Sequence, residues 1–264
     1  MRLVADNLTV ADPIIARAIA DFDPGPIRER VRRCAAAGAQ LIDVNSGPLP
    51  RDPRGRFAFL VEAVQSATDL PLLLDTTNPE ALEAGLAACR RRPVINGFSL
   101  EPARLTRVLP LARRHGADIV GFLLDADSRV PMTEDEMMAL AVALFEACTA
   151  AGLPPERLIV DPVVAPLAWE EGMRHNRAAL KLIAGISDLL GTPVRTIAGL
   201  SNLTSGRAAA ARKSAVESAF VPMLAAAGLD FLLLDVLRPP VMRVARTCNL
   251  LLQGGIFTWA AVEA

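Results

Sequence analysis

The sequence predicts an α/β protein, a single (β/α)8 TIM barrel, and three observations carry that reading. Eight short apolar runs alternate with alanine-rich stretches of helical period along all 264 residues. Eight strand–helix units in about 260 residues match the size and count of such a barrel. The main rival, a doubly wound open sheet, usually carries a glycine-rich phosphate loop after its first strand. Here that strand leads into Asp6-Asn7-Leu8-Thr9, with neither a GxGxxG nor a Walker motif. No linker, low-complexity segment or shift of composition divides the chain, so one domain over residues 1–264 is expected.

The predicted strands are residues 3–5, 41–44, 72–74, 93–96, 119–124, 158–160, 194–198 and 231–234. Each is too short and too uniformly apolar for a half-exposed antiparallel strand, which would alternate. Segments 26–38 and 79–91 read as helices. Asn78-Pro79-Glu80 supplies a capping side chain, a proline at the first turn and an acid after it. Gly38, Gly116, Gly152 and Gly228 follow alanine-rich stretches and read as C-terminal stops. The most apolar helical stretch, 139–153, is interrupted by Glu146 and reads as packing on a core.

Composition narrows the function. With 52% hydrophobic and 22% charged residues the chain is of soluble, globular type. Lys plus Arg number 28 against 29 Asp plus Glu, a net charge of −1, which leaves no footprint for nucleic acid or a polybasic membrane anchor. The first ten residues, MRLVADNLTV, lack the layout of a secretory signal. No apolar run reaches the roughly 18 residues needed to cross a bilayer. A cytoplasmic location is expected. Cys34, Cys89, Cys148 and Cys248 are far apart and form no CxxC pair, and His115 and His175 stand in no ligand spacing. The cysteines read as small helix residues, and no metal site is expected. Trp169 and Trp259 are too few and too separated for a stacking platform, so packing in the core or an interface is expected. Arg90-Arg91-Arg92 reads as a solvated cluster complementing a helix C-terminus.

The polar residues fall where the strands end: Asp6 and Asn7, Asp43 and Asn45, Asp75 and Asn78, Asn96, Asp125, Asp161, Ser201 and Asn202, and Asp235. In a barrel these exits converge at the C-terminal mouth, where active sites are built. Any one of them could instead be a helix cap or turn former. The nearby cations are few: Arg51, Arg54 and Arg56 after the second strand, and Arg207, Arg212 and Lys213 after the seventh. A mouth of carboxylates and amides suits a ligand rich in donors. A 2-amino-4-oxo-pyrimidine ring fits, because one carboxylate can accept from its amino group and adjacent ring N–H together. Ionic hydrogen bonds of this kind contribute on the order of 1.5–3 kcal/mol each. A divalent cation held by several aspartates is the competing chemistry. Their spread over many strands, among so many amides, disfavours it.

Five motifs in order carry a family resemblance: Leu41-Ile-Asp-Val-Asn-Ser-Gly-Pro48, Leu74-Asp-Thr-Thr-Asn-Pro79, Val94-Ile-Asn-Gly97, Ile159-Val-Asp-Pro162 and Gly199-Leu-Ser-Asn202. Together they resemble the pterin-binding methyltransferases that pass a methyl group between methyltetrahydrofolate and a corrinoid protein. Dihydropteroate synthase and the folate domain of cobalamin-dependent methionine synthase belong to the same superfamily. The likeness runs over nearly the whole chain. It implies that Asp75, Asn96 and Asp161 hold the pterin ring and that Asp43 and Asn45 support the pocket. It also implies that Asn202, beside Ser201, hydrogen-bonds near N5 of the methyl donor, and that Arg207 or Arg212 fills the place of a family arginine. The substrate implied is methyltetrahydrofolate or tetrahydrofolate, the nucleophile is the cobalt of a cobalamin carried by a corrinoid partner protein, and the assembly is a homodimer. Such chemistry asks for no nucleophilic serine, cysteine or histidine in the chain.

The chain departs from the family pattern in three places. Its first strand ends Ala5-Asp-Asn-Leu-Thr9, where a Gly-Glu-Arg-Ile-Asn type stretch is usual. Gly97-Phe-Ser-Leu-Glu101 is more apolar than a segment beside a pterin would be expected to be, and the loop after Asn202 is alanine-rich. Two alternatives follow. One is a docking protein that kept the ring pocket and lost transfer. The other is dihydropteroate synthase, whose Ser-Thr-Arg-Pro-like and Ser-Arg-Lys signatures this chain lacks.

Overall fold

The computed structural model describes residues 1–49, 51–253 and 257–263. Eight parallel strands close into one barrel in sequence order, each bonded to the next and β8 back to β1. They are β1 (Arg2–Ala5), β2 (Leu41–Asn45), β3 (Leu72–Asp75), β4 (Val94–Phe98), β5 (Asp118–Phe122), β6 (Leu158–Asp161), β7 (Arg195–Gly199) and β8 (Phe231–Leu234). The helices that return the chain are α1 (Pro13–Ala20) and α2 (Pro24–Ala36) after β1, α3 (Pro53–Gln65), α4 (Pro79–Ala88), α5 (Pro102–His115), α6 (Glu134–Ala150) and α7 (Gly172–Leu190). The seventh strand is followed by a single turn, α8 (Leu200–Leu203), and then α9 (Ala210–Ala226). After β8 come α10 (Pro239–Leu252) and α11 (Ala260–Glu263).

The helix starts follow capping chemistry. Asp12, Asp23, Asp52 and Asn78 accept backbone N–H groups at the starts of α1 to α4, each with proline in the first turn. Thr133 and Glu136 form a reciprocal capping box on α6. Where the structure differs from the sequence reading, the reason is local. β5 stops at Phe122 because Leu124 N–H turns back onto Phe122 O, which peels the chain off the barrel two residues early. α4 ends at Ala88, so Arg90, Arg91 and Arg92 lie in the exposed connection beyond it rather than in its last turn. Trp169 and Trp259 are 52% and 80% exposed and take no part in the core.

Two hydrophobic layers hold the barrel. One fills its axis with Val4, Leu41, Leu73, Val94, Val120, Ile159, Ile197 and Phe231. The other, much larger, lies between the sheet and the helices. The second is packed without slack where α3 meets α4: a Cβ on Gly85 would fall 2.5 Å from the ring of the fully buried Phe57. Overpacking of this kind costs about 1–3 kcal/mol. Gly85→Ala is therefore expected to lower the melting temperature by roughly 2–12 °C at ~2–4 °C per kcal/mol, read by calorimetry. An unchanged melting point would show that the α3–α4 contact yields freely.

Candidate active site

The axial layer also fixes the site, because side chains two apart on a strand point to the same side. Two residues beyond Val4, Leu41, Leu73, Val94, Ile159 and Phe231 stand Asp6, Asp43, Asp75, Asn96, Asp161 and Leu233. All six line one cavity of about 730 Å³ at the C-terminal mouth. Two residues further, on β2 and after β8, Asn45 and Asp235 join them. Phe122, Leu124 and Ile197 supply apolar wall, and Ser201 and Asn202 on α8 close one rim. β4 approaches β5 closely here: a Cβ on Gly97 would lie 2.3 Å from Val120 O, so only glycine fits beside Asn96.

Each polar group is held by its neighbours. Asn45 Nδ2 donates to Asp75 Oδ2 at 2.6 Å, while its Oδ1 accepts from Gly47 N–H at 2.9 Å. Asp161 Oδ1 accepts from Val163 N–H at 2.7 Å. Val163 takes a left-handed backbone, φ 59°, which is costly for a β-branched residue. The clamp that holds it comes from α7. His175 Nε2 lies 2.7 Å from Val163 O and Nδ1 3.0 Å from Pro131 O, and the Asn176 amide bonds both backbone groups of Ala165. On the other side Asn7 donates to Asp235 and accepts from Val236 N–H at 3.0 Å. Arg30 Nη1 reaches Asn7 O at 2.9 Å.

Crowding acids in a cleft has an electrostatic consequence. Burial pushes Asp161 up to about 7, against the pull of the Val163 N–H. Burial and then the Asp235 charge raise Asp6 to about 7, although a hydrogen bond with Ser201 and the Arg238 charge oppose this. Burial lifts Asp75 to about 6, moderated by Arg104 and the Asn45 amide. Asp43 is raised well above the ordinary range by burial and by Asp75 and Asp6, and its Oδ1 is buried without a hydrogen-bond partner among the described residues. Near neutral pH such a wall presents carboxyls as either donors or acceptors. That suits a heterocycle with mixed donor and acceptor edges. Among the described residues no three His, Cys, Asp or Glu side chains are grouped to hold a metal ion.

The structure thus brings Asp43, Asn45, Asp75, Asn96, Asp161, Ser201 and Asn202 to one cavity. Arg212 is not among them: it sits exposed on the first turn of α9, because residues 205–209 carry the chain away from the mouth. Asn78 and Asp125 serve locally. Asn78 Oδ1 caps α4, and Asp125 Oδ1 accepts the N–H groups of Asp127 and Arg129 in a turn. Arg54 pairs with Glu83, and Arg56 bonds the carbonyls of Ile19 and Ala20. The cations that do line the cavity, Arg30, Arg104 and Arg238, went unrecognised in the sequence. They stand on α2, on α5 and at the start of α10, and nothing in their local sequence marks them. Asp6 and Asp235, read from the sequence as strand-exit residues, do line the cavity, and the period-2 spacing behind the axial residues, as in Val4-Ala-Asp6 or Ile159-Val-Asp161, is the reason.

Comparison with known proteins agrees with this geometry. The pterin binding enzyme family model matches residues 7–235. The methylcorrinoid:tetrahydrofolate methyltransferase of Eubacterium limosum is 27% identical over 237 residues, 89% of this chain and 85% of that protein. A methionine synthase of Mycobacterium tuberculosis is 25% identical over 241 residues, 86% of this chain but 20% of that protein. In fold, the dihydropteroate synthase of Thermus thermophilus superposes with a TM-score of 0.67 at 24% identity, covering 95% of this chain and 92% of that one. With a closed barrel, an acid-and-amide mouth and a family match that spans both, the chain belongs to the pterin-binding enzymes.

Proposed function

We propose that this protein is a methyltransferase that moves a methyl group between N5 of methyltetrahydrofolate, or a related tetrahydropterin, and the cobalt of a corrinoid protein. The observation that carries this reading is one cavity with Asp75, Asn96 and Asp161 in its wall and Asn202 on its rim. Ring recognition falls to the wall. An ionised Asp161 accepts from the pterin amino group and adjacent ring N–H, while Asn96 and the Asn45–Asp75 pair fix the ring in plane. The likeness to the Eubacterium methyltransferase supports N5 methyl chemistry over other uses of a pterin pocket.

A tertiary amine leaves poorly unless the charge developing on nitrogen is neutralised as the carbon–nitrogen bond breaks. The Asn202 amide, donating toward N5, stabilises that charge more in the transition state than in the ground state. The docked corrinoid supplies a reduced cobalt centre as the methyl acceptor. The chain itself binds and orients the pterin, keeps the ring away from bulk water and holds the hydrogen bond at N5.

Three outcomes are expected. Asn202→Ala should lower turnover by about 10²–10³-fold and change methyltetrahydrofolate affinity little, measured by transfer to reduced free cobalamin and by calorimetry. Asp161→Asn should weaken binding itself, by roughly ten- to a hundredfold for the loss of a charged hydrogen bond. Negligible effects from both would remove the site assignment.

The third outcome is a pH dependence. Asp161 must be ionised to accept from the ring and holds its proton up to about 7, so binding should weaken as pH falls through 7. The same shift sets stability. With the folded value above the ordinary 3.8, the ligand-free protein gains stability below that value and loses it as pH rises through about 7. Asp161→Asn should therefore raise the melting point of the free protein at pH 8 and not at pH 4. A pH-independent difference would exclude Asp161 as the titrating group.

A further inference from the structure

Glu217 lies on α9, outside the cavity wall. The structure buries it to 5% exposure, and among the described residues only one other acid, Asp43, is as deeply enclosed. Both its oxygens are committed. Oε1 accepts from Thr204 Oγ1 at 2.6 Å, and Oε2 is bonded to Arg238. Arg238 Nη2 stands 3.5 Å from Asp235 Oδ2, and Asp235 in turn accepts from Asn7. Thr204 is the cap of the one-turn helix that carries Ser201 and Asn202, and its N–H donates to Asn202 O. Residues 205–209 beyond it are exposed. On the opposite side the turn is tied by Leu167 N–H to Leu203 O at 3.0 Å.

We propose that Glu217 is a positioning residue for methyl transfer, acting through Thr204 on the backbone that presents Asn202. The role rests on the reading that Asn202 works at N5. Four residues of helix cannot hold their own orientation, because one turn closes too few hydrogen bonds to offset its ordering. The buried Leu200 and Leu203, the Leu167–Leu203 backbone bond and the Ser201–Asp6 bond seat the turn. A buried carboxylate with two directed, charge-assisted bonds adds a tie at its C-terminal end, to the exit of β8. Glu217 touches no substrate. Its effect belongs in the rate and not in ring affinity.

The test uses Thr204→Val, which keeps the shape and removes the hydroxyl while leaving the Glu217–Arg238 pair. Because a misplacement of about 1 Å can cost ~10²-fold, kcat should fall roughly ten- to a hundredfold with KM for methyltetrahydrofolate within about twofold. Glu217→Gln should largely restore the rate lost in Glu217→Ala, since its carbonyl can accept from Arg238 and its amide can donate to Thr204. If Glu217→Ala does not fold, Thr204→Val and Glu217→Gln decide the matter. In an Asn202→Ala background, Thr204→Val should cost nothing more. Full additivity there, or a raised KM with kcat intact, overturns the positioning role alone. Wild-type transfer by Asn202→Ala overturns the assignment of Asn202 to N5, and the positioning role with it, whereas absence of transfer by the unaltered protein overturns the methyl-transfer reading.

Discussion

The alternation of side chains along a closed parallel barrel is the constraint on which everything else in this molecule depends. A barrel of eight strands has an interior just wide enough for side chains to fill, so each inward position must be matched to its neighbours on the other strands. Val4, Leu41, Leu73, Val94, Val120, Ile159, Ile197 and Phe231 close that interior with an apolar plug. The next inward step up the same strands is forced to face the same axis. By placing acids and amides there, the sequence commits itself to a polar bowl on an apolar floor.

Such a bowl is unfavourable to build and useful once built. Asp6, Asp43, Asp75 and Asp161 each lose hydration, and neighbouring acids add repulsion at Asp6 and Asp43, so all four hold protons to higher pH than ordinary acids. The fold tolerates this because the barrel walls are secured elsewhere, by the large core between sheet and helices. It also spends polar contacts on orientation. His175 on α7 holds the strained Val163 that aims its N–H at Asp161, and Asn176 holds Ala165 two residues on. The Glu217–Arg238 pair braces the side of the mouth that carries Asn202. Specificity in the wall thus depends on helices whose inner faces are polar at selected points.

Much of this was legible in the residues themselves. Short runs such as Leu41-Ile-Asp-Val-Asn and Ile159-Val-Asp-Pro announce strand and site together, since the acid follows the apolar run at once. Capping was legible too, but it competes for the same residue types: Asn78 and Asp125 are used by their own loops, whereas Asn96 and Asp161 face the cavity. Arg212 shows the opposite difficulty. A cation after the right strand suits the mouth by its place in the sequence, but the length of the segment between α8 and α9 places it on the outside. Trp169 and Trp259 are exposed although large apolar residues usually pack inside.

From its sequence alone this protein is fixed as an eightfold strand–helix alternation with acids and amides at the strand exits, because hydrophobic period and local capping act over a few residues. What only the tertiary structure decided is which distant groups meet. Arg30, Arg104 and Arg238 reach the cavity from three helices, Arg212 does not, and Glu217 is buried against Thr204 and Arg238. Those meetings depend on where each helix docks along the barrel and on the length of the loop before it. No local preference encodes either quantity; they emerge when the whole core packs.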